Sequence, residues 1–209
     1  MTRRPSPSRT VRASVPVAPR IGAGAHRGRK LLVPPGAAVR PTASRARESL
    51  FNILMHADLT GDGTSPLPDA RVLDAFAGSG ALGLEALSRG AAHATFIDNA
   101  PEAVRAIGEN VRTLGEAARV RLIRTDATQP QTAPAGAACD LAFLDPPYRS
   151  GLGGPALAAL ARAGWLAAGA LCVLEVGAGE DLDPPPGFGV LDARRYGAAK
   201  LVFLRYQGT

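Results

Sequence analysis

The sequence predicts an α/β fold: a mostly parallel, seven-stranded sheet covered on both faces, closed by a C-terminal antiparallel hairpin and preceded by a small N-terminal hairpin-and-helix extension. Three observations predict it. From residue 70 onward, short apolar runs alternate with amphipathic helical segments, the pattern of parallel strands joined by crossover helices. The first of these runs ends in a glycine-rich turn that opens a helix. The last two runs have no helical segment between them, so they pair as a hairpin at one edge.

The elements follow in chain order. Residues 1–19 carry Arg, Ser, Pro, Val and Ala without apolar periodicity and read as a disordered basic leader. Residues 20–35 place Gly22, Gly24 and Gly28 around a basic run, which predicts two short strands joined by a glycine-rich turn. Pro41 and Thr42 then start a helix, with Thr42 as its N-cap and Leu50, Phe51, Ile53 and Leu54 as its apolar stripe. Arg45 and Arg47 fall early in that helix, free to face outward. A loop rich in Gly, Asp and Pro over residues 61–69 ends this 20–69 extension, and the main domain runs from 70 to 209.

Within the main domain, residues 71–76, 94–97, 120–123, 141–144, 171–176, 190–193 and 201–206 are the predicted strands. A helix follows the glycine turn and is closed by Gly90. Asn99 caps the next helix with Glu102 three residues on, and Gly115 ends it after Val104, Ile107, Val111 and Leu114. A further helix is predicted over residues 152–163.

Composition narrows the function. Of 209 residues, 46% are hydrophobic, enough for one ordinary core, and no apolar run reaches the ~20 residues of a spanning helix. Cys139 and Cys172 lie far apart, which excludes a disulfide scaffold or a zinc site as the organising principle. His26, His56 and His93 are scattered, so no metal is predicted. Residues 1–49 hold ten arginines and Lys30 against one acid, Glu48, a net charge of +10, while residues 50–209 carry −4. One basic end on a mildly acidic body points to a polyanionic partner, nucleic acid above all.

The chemistry sits after the first and fourth strands. Gly78, Gly80 and Gly83 satisfy G-x-G-x-x-G, and Asp98 follows 20 residues after Gly78 at the end of the second strand. Glycine lets the backbone approach a ligand and the acid accepts bonds from ribose hydroxyls, so this turn alone suits either NAD or S-adenosylmethionine. Asp145-Pro146-Pro147-Tyr148 decides between them. The prolines stiffen the loop and leave carbonyls without amide partners of their own. Asp145 and the Pro146 carbonyl then present two acceptors, and Tyr148 an aromatic face, to a planar group carrying an exocyclic amine.

D-P-P-Y together with D-x-F-x-G-S-G resembles the signature of S-adenosylmethionine-dependent amino-methyltransferases acting on nucleic-acid bases. The closer resemblance is to the RsmD-type 16S rRNA (guanine(966)-N2)-methyltransferases of bacteria. It is carried by Arg40-Pro41-Thr42, by Arg45-x-Arg47-Glu48 and Leu50-Phe51-Asn52, and by the segments 72–89 and 143–148. The resemblance spans residues 20 to 206. It implies a Rossmann-like class I methyltransferase fold, S-adenosyl-L-methionine as cofactor, and 16S rRNA or the assembling small ribosomal subunit as partner. A monomer in the bacterial cytoplasm, with no membrane partner, is the accompanying expectation.

Residue by residue, the resemblance implies that Asp145, Pro146, Pro147 and Tyr148 carry catalysis. It places Ala77, Gly78 and Gly80 around the cofactor's methionine part, with Asp74 ordering the glycine loop or the cofactor's amino group. Asp98, with Asn99 beside it, falls at the ribose, and Asp126 with Ala127 at the adenine amine, although an Asp after a strand also serves as a simple turn cap. Arg27, Arg29 and Lys30 of the first hairpin and Arg40, Thr42 and Arg45 of the helix start face RNA. A DNA adenine-N6 methyltransferase and a non-catalytic RNA-binding or assembly protein on the same fold stay open as alternatives. An NAD-dependent dehydrogenase ranks last, because no proton donor follows the fourth strand.

Overall fold

A computed structural model describes residues 18–35, 41–59, 61 and 63–208, and for residues 41–43 the helix alone. The order of elements is α1 (Pro41–His56), β1 (Arg71–Ala75), α2 (Ala81–Ser88), β2 (His93–Asp98), α3 (Pro101–Leu114), β3 (Val120–Arg124), β4 (Cys139–Leu144), α4 (Gly153–Arg162), β5 (Leu166–Gly177), β6 (Phe188–Tyr196) and β7 (Ala199–Tyr206). The sheet has seven strands in the order β3-β2-β1-β4-β5-β7-β6. Pairs β3·β2, β2·β1, β1·β4 and β4·β5 are parallel, and β7 runs antiparallel to both β5 and β6. The predicted mixed sheet with a closing antiparallel hairpin is therefore the observed one.

Strand order reverses between β1 and β4. There the crossovers leave in opposite directions, and a crevice opens beyond the carboxyl ends of both strands. Side chains alternate across the sheet and sort the core into two layers. On one face Val72, Leu141, Phe143, Val173 and Phe203 pack beneath α1, α2 and α3. On the other, Leu73, Ala142, Cys172, Leu174 and Trp165 pack with Leu157 and Leu160 of α4.

The predicted stripe of α1 is buried throughout: Leu50, Phe51, Ile53 and Leu54 all enter the first layer, with Ile21 and Leu31 from the segment before it. Phe51 meets Phe143 of β4 with ring centroids 5.7 Å apart, and the Arg89 guanidinium sits 4.9 Å above the Phe51 ring. The extension thus packs onto the strand that leads to Asp145.

Three local expectations are corrected. Residues 20–35 pair antiparallel as expected, with the Arg20–Lys30 bridge and backbone bonds from Ile21 N to Arg29 O, Gly28 N to Ile21 O and Leu31 N to Pro19 O. The pairing is too short to make two strands, because the amides of Gly22 and Leu32 go to Glu85 on α2 and Asn110 on α3. Thr42 lies inside α1, not before it, since Pro41 with its preset φ takes the first helical position. Asn99 does not cap α3: Ala100 does, Pro101 opens the helix, and the Ala100 amide donates to Asp98 Oδ1 at 2.9 Å. No helix among the described residues is long and apolar enough to cross a membrane.

Candidate active site

The loop after β1 is fixed by strained backbone and by its own amides. Phe76 has φ 59°, a left-handed conformation that costs a non-glycine residue about 1–2 kcal/mol, and Gly78 and Gly80 follow at 56° and 74°. The Ala77 amide donates to Ile97 O at 3.2 Å, Gly78 N to Asp98 Oδ2 at 2.8 Å, and Gly80 N to Ala77 O at 2.7 Å. The third glycine has a different task. A Cβ at Gly83 would stand 2.4 Å from the Phe96 ring, so Gly83 lets α2 lie against β2, whereas a Cβ at Gly78 meets nothing within 4 Å. The open side of Gly78 is the surface a ligand can approach.

Asp74 is buried beneath this turn, and its Oδ2 accepts the Gly83 amide at 2.8 Å. Burial pushes its carboxyl well above the usual carboxylate range, with Asp145 and Asp98 adding in the same direction and the Gly83 amide opposing them. Asp74 therefore orders the glycine loop from below.

The loop after β4 starts level with the glycine turn. Register pairs Ala75 with Leu144, and the Asp145 amide donates to Ala75 O at 3.4 Å. Asp74, Phe76, Ala77, Gly78 and Asp145 line one cleft of ≈ 240 Å³, with Arg47 and Leu50 of α1 on its wall and Glu175 at the end of β5. Pro146, Pro147 and Tyr148 line an adjoining pocket that shares Glu175. The Tyr148 hydroxyl donates to Glu175 Oε1 at 2.5 Å, and the Arg149 amide and the Gly177 amide both donate to Glu180 Oε1 at 2.9 Å. The proline loop is thereby held by carboxylates from β5 and the turn beyond it.

The other expected residues fall in several places. Gly80 caps α2 without lining the cleft. Asp98 is half-buried and spends one bond on each oxygen, to Gly78 and to Ala100, while Asn99 is exposed. Asp126 Oδ1 accepts the Thr128 amide and hydroxyl, both at 2.8 Å, the turn-cap arrangement, and Ala127 beside it is buried. Neither of these two lines the cleft. Arg27, Lys30 and Arg45 are exposed. The Arg29 guanidinium donates to Thr113 O at 2.9 Å, near the C-terminal end of α3, where a cation is favourable. Arg40 lies outside the described residues, as does the Thr42 side chain. Arg47 does not face outward: it donates to Arg20 O at 2.9 Å, and burial lowers its pKa against the opposing pull of Glu85.

Three residues that hold the site were not singled out from the sequence. Glu175 carries Tyr148. Glu85, buried on α2, accepts the Gly22 and Ala23 amides at 2.7 and 3.1 Å and Arg89 Nε at 2.6 Å. Asn110, buried on α3, donates to Leu32 O and Ser79 O and accepts the Leu32 amide, tying the N-terminal segment to the glycine turn. A buried Glu or Asn inside an otherwise amphipathic helix was the available signal.

A glycine turn and an acid-proline loop facing each other at the switch point of this strand order define a class I methyltransferase fold. Residues 19–205 match the family model described as Conserved hypothetical protein 95. The chain belongs to that family. It is 42% identical over 156 residues to Ribosomal RNA small subunit methyltransferase D of Escherichia coli, covering 75% of this chain and 73% of that one. The protein of the same name from Haemophilus influenzae is 34% identical over 183 residues, 85% and 89% of the two chains. Among solved structures, yhhF from Escherichia coli superposes with a TM-score of 0.74 at 35% identity, covering 92% of this chain and 100% of that one.

Proposed function

We propose that the chain methylates rRNA of the small ribosomal subunit, with S-adenosylmethionine as methyl donor and the exocyclic N2 amine of a guanine as acceptor. The observation that carries this reading is Asp145, in line with the glycine turn across the β1–β4 junction and lining the same cleft. The family relationship supports the rRNA substrate, since relatives at 42% and 34% identity are named Ribosomal RNA small subunit methyltransferase D.

The residues fit such a cofactor: Ala77 and Gly78 line the cleft, Gly78 with its Cβ side open, and the half-buried Asp98 at the end of β2 holds the Gly78 amide beside them. Bound there, S-adenosylmethionine supplies an electrophilic sulfonium methyl group. Asp145 and the Pro146 carbonyl accept the two amine hydrogens of a base taken out of its stack, which turns the nitrogen lone pair out of conjugation with the ring. Tyr148 stacks on that ring. Catalysis then rests on orientation and on the Asp145 carboxylate stabilising positive charge that develops on nitrogen. Arg27, Lys30 and Arg45, exposed on the extension, contact RNA phosphates, an affinity that weakens with salt.

Methyl transfer from labelled S-adenosylmethionine to unmethylated small ribosomal subunits, with duplex DNA alongside, tests the reading. Digestion to nucleosides is expected to yield N2-methylguanosine from rRNA, with Asp145→Ala lowering the rate by about 10²- to 10³-fold, the scale of losing one preorganised group that stabilises developing charge. N6-methyladenine from the DNA would overturn the rRNA assignment.

A further inference from the structure

We infer that Glu175 reads the Watson–Crick edge of the base beside Asp145 and so selects guanine over adenine. The inference rests on the reading of Asp145 given above and adds to it the residue that chooses the base.

The placement follows from register. β4 and β5 are parallel, with Phe143 opposite Val173 and Leu144 opposite Leu174. One residue further on, Asp145 stands beside Glu175, about 4.8 Å away by the spacing of neighbouring strands. Side chains alternate, so Asp145 continues the face of Phe143, and Glu175 that of Val173. Both Phe143 and Val173 belong to the core layer beneath α1, which puts the two acids on the α1 side of the sheet. Both line the cleft that holds the glycine turn.

Two carboxylates side by side recognise two adjacent donors. Guanine offers that pair, the N2 amine and the N1–H next to it, whereas adenine sets an acceptor, N1, next to its amine. With the amine on Asp145, guanine places N1–H toward Glu175. Adenine in the same pose sets a lone pair against a carboxylate, which is repulsive and leaves a buried acceptor without a donor. The Tyr148 hydroxyl on Glu175 Oε1 fixes the carboxylate without exhausting it, because a carboxylate offers about four acceptor positions. The residue that orients the stacking tyrosine thus also reads the base.

The test compares guanine with 2-aminopurine, which keeps the exocyclic amine but has no N1–H. Small subunits are reconstituted from ligated 16S rRNA carrying either base at the methylated position, and kcat/KM is measured for wild type, Glu175→Gln and Tyr148→Phe. Wild type is expected to favour guanine by about 10- to 100-fold, the worth of one hydrogen bond to a charged group. Glu175→Gln is expected to lower transfer to guanine by a similar factor and to leave 2-aminopurine nearly unchanged, so that the preference collapses. Tyr148→Phe, which keeps the ring and removes the hydroxyl, is expected to lower both substrates together. An equal loss on both bases in Glu175→Gln would overturn the inference and leave Glu175 as a support for Tyr148. Failure of the wild type to methylate the guanine RNA would overturn the underlying reading as well, which separates the two failures.

Discussion

The loop after β1 and the loop after β4 face one cleft but are held in opposite ways. The first is self-sufficient: Ala77, Gly78 and Gly80 spend their amides within the turn or on the next strand, and the left-handed backbone at three positions fixes its path. The second carries two prolines, which have no amide to give, and is braced by Glu175 at the end of the neighbouring β5 and by Glu180 in the turn beyond it. A cofactor-binding turn that presents backbone suits a ligand that never varies. A base-binding loop braced by side chains can change its preference through residues outside the loop.

The largest structural effect is expected where the extension is fastened beneath the first loop. Glu85→Ala leaves two amides and Arg89 without their shared acceptor, and is expected to destabilise the fold by about 2–4 kcal/mol in urea unfolding. Within the glycine turn the ranking is also fixed. Gly83→Ala drives a Cβ into Phe96, and is expected to cost about 1–3 kcal/mol. Gly78→Ala meets no neighbour and bears only the left-handed backbone, about 1 kcal/mol, with its main effect on cofactor affinity. A Gly78 variant less stable than the Gly83 variant would break this division between ligand-facing and packing glycines.

The smallest effect is expected at the thiols. Burial pushes Cys139 and Cys172 each up to about 12, so both stay protonated and shielded at neutral pH. Titration of the native protein at pH 8 with a disulfide reagent is expected to leave them unreacted, and both react once the chain is unfolded. Rapid reaction of either in the native state would contradict the packing beneath the sheet.

The same contrast explains what could be read from the sequence. Strand and helix alternation, the strand-to-turn glycines and Asp145-Pro146-Pro147-Tyr148 are local patterns, and each lies where expected. The partners that hold them are not local. Tyr148 reaches 27 residues along the chain to Glu175, and Gly22 reaches 63 to Glu85. Periodicity carries no record of such pairs. Residues 20–35 keep a short hairpin pairing but not two full strands for the same reason, because Glu85, Ser88 and Asn110 take the amides of Gly22, Ala23, His26 and Leu32. The Asn99 cap was missed by one residue because Pro101 claims the first helical position and Asp98 supplies the acceptor instead.

The central claim, that the cofactor rests on the β1–β2 side and the base on the β4–β5 side, is tested most directly by S-adenosylhomocysteine binding. Calorimetry on wild type, Asp98→Ala and Asp145→Ala, each checked for an unchanged melting transition, separates the two halves. The account predicts a loss of about 10- to 100-fold in affinity for Asp98→Ala, the worth of a charged hydrogen bond to ribose, and unchanged affinity for Asp145→Ala. Equal weakening in both variants, or none in Asp98→Ala, would contradict it.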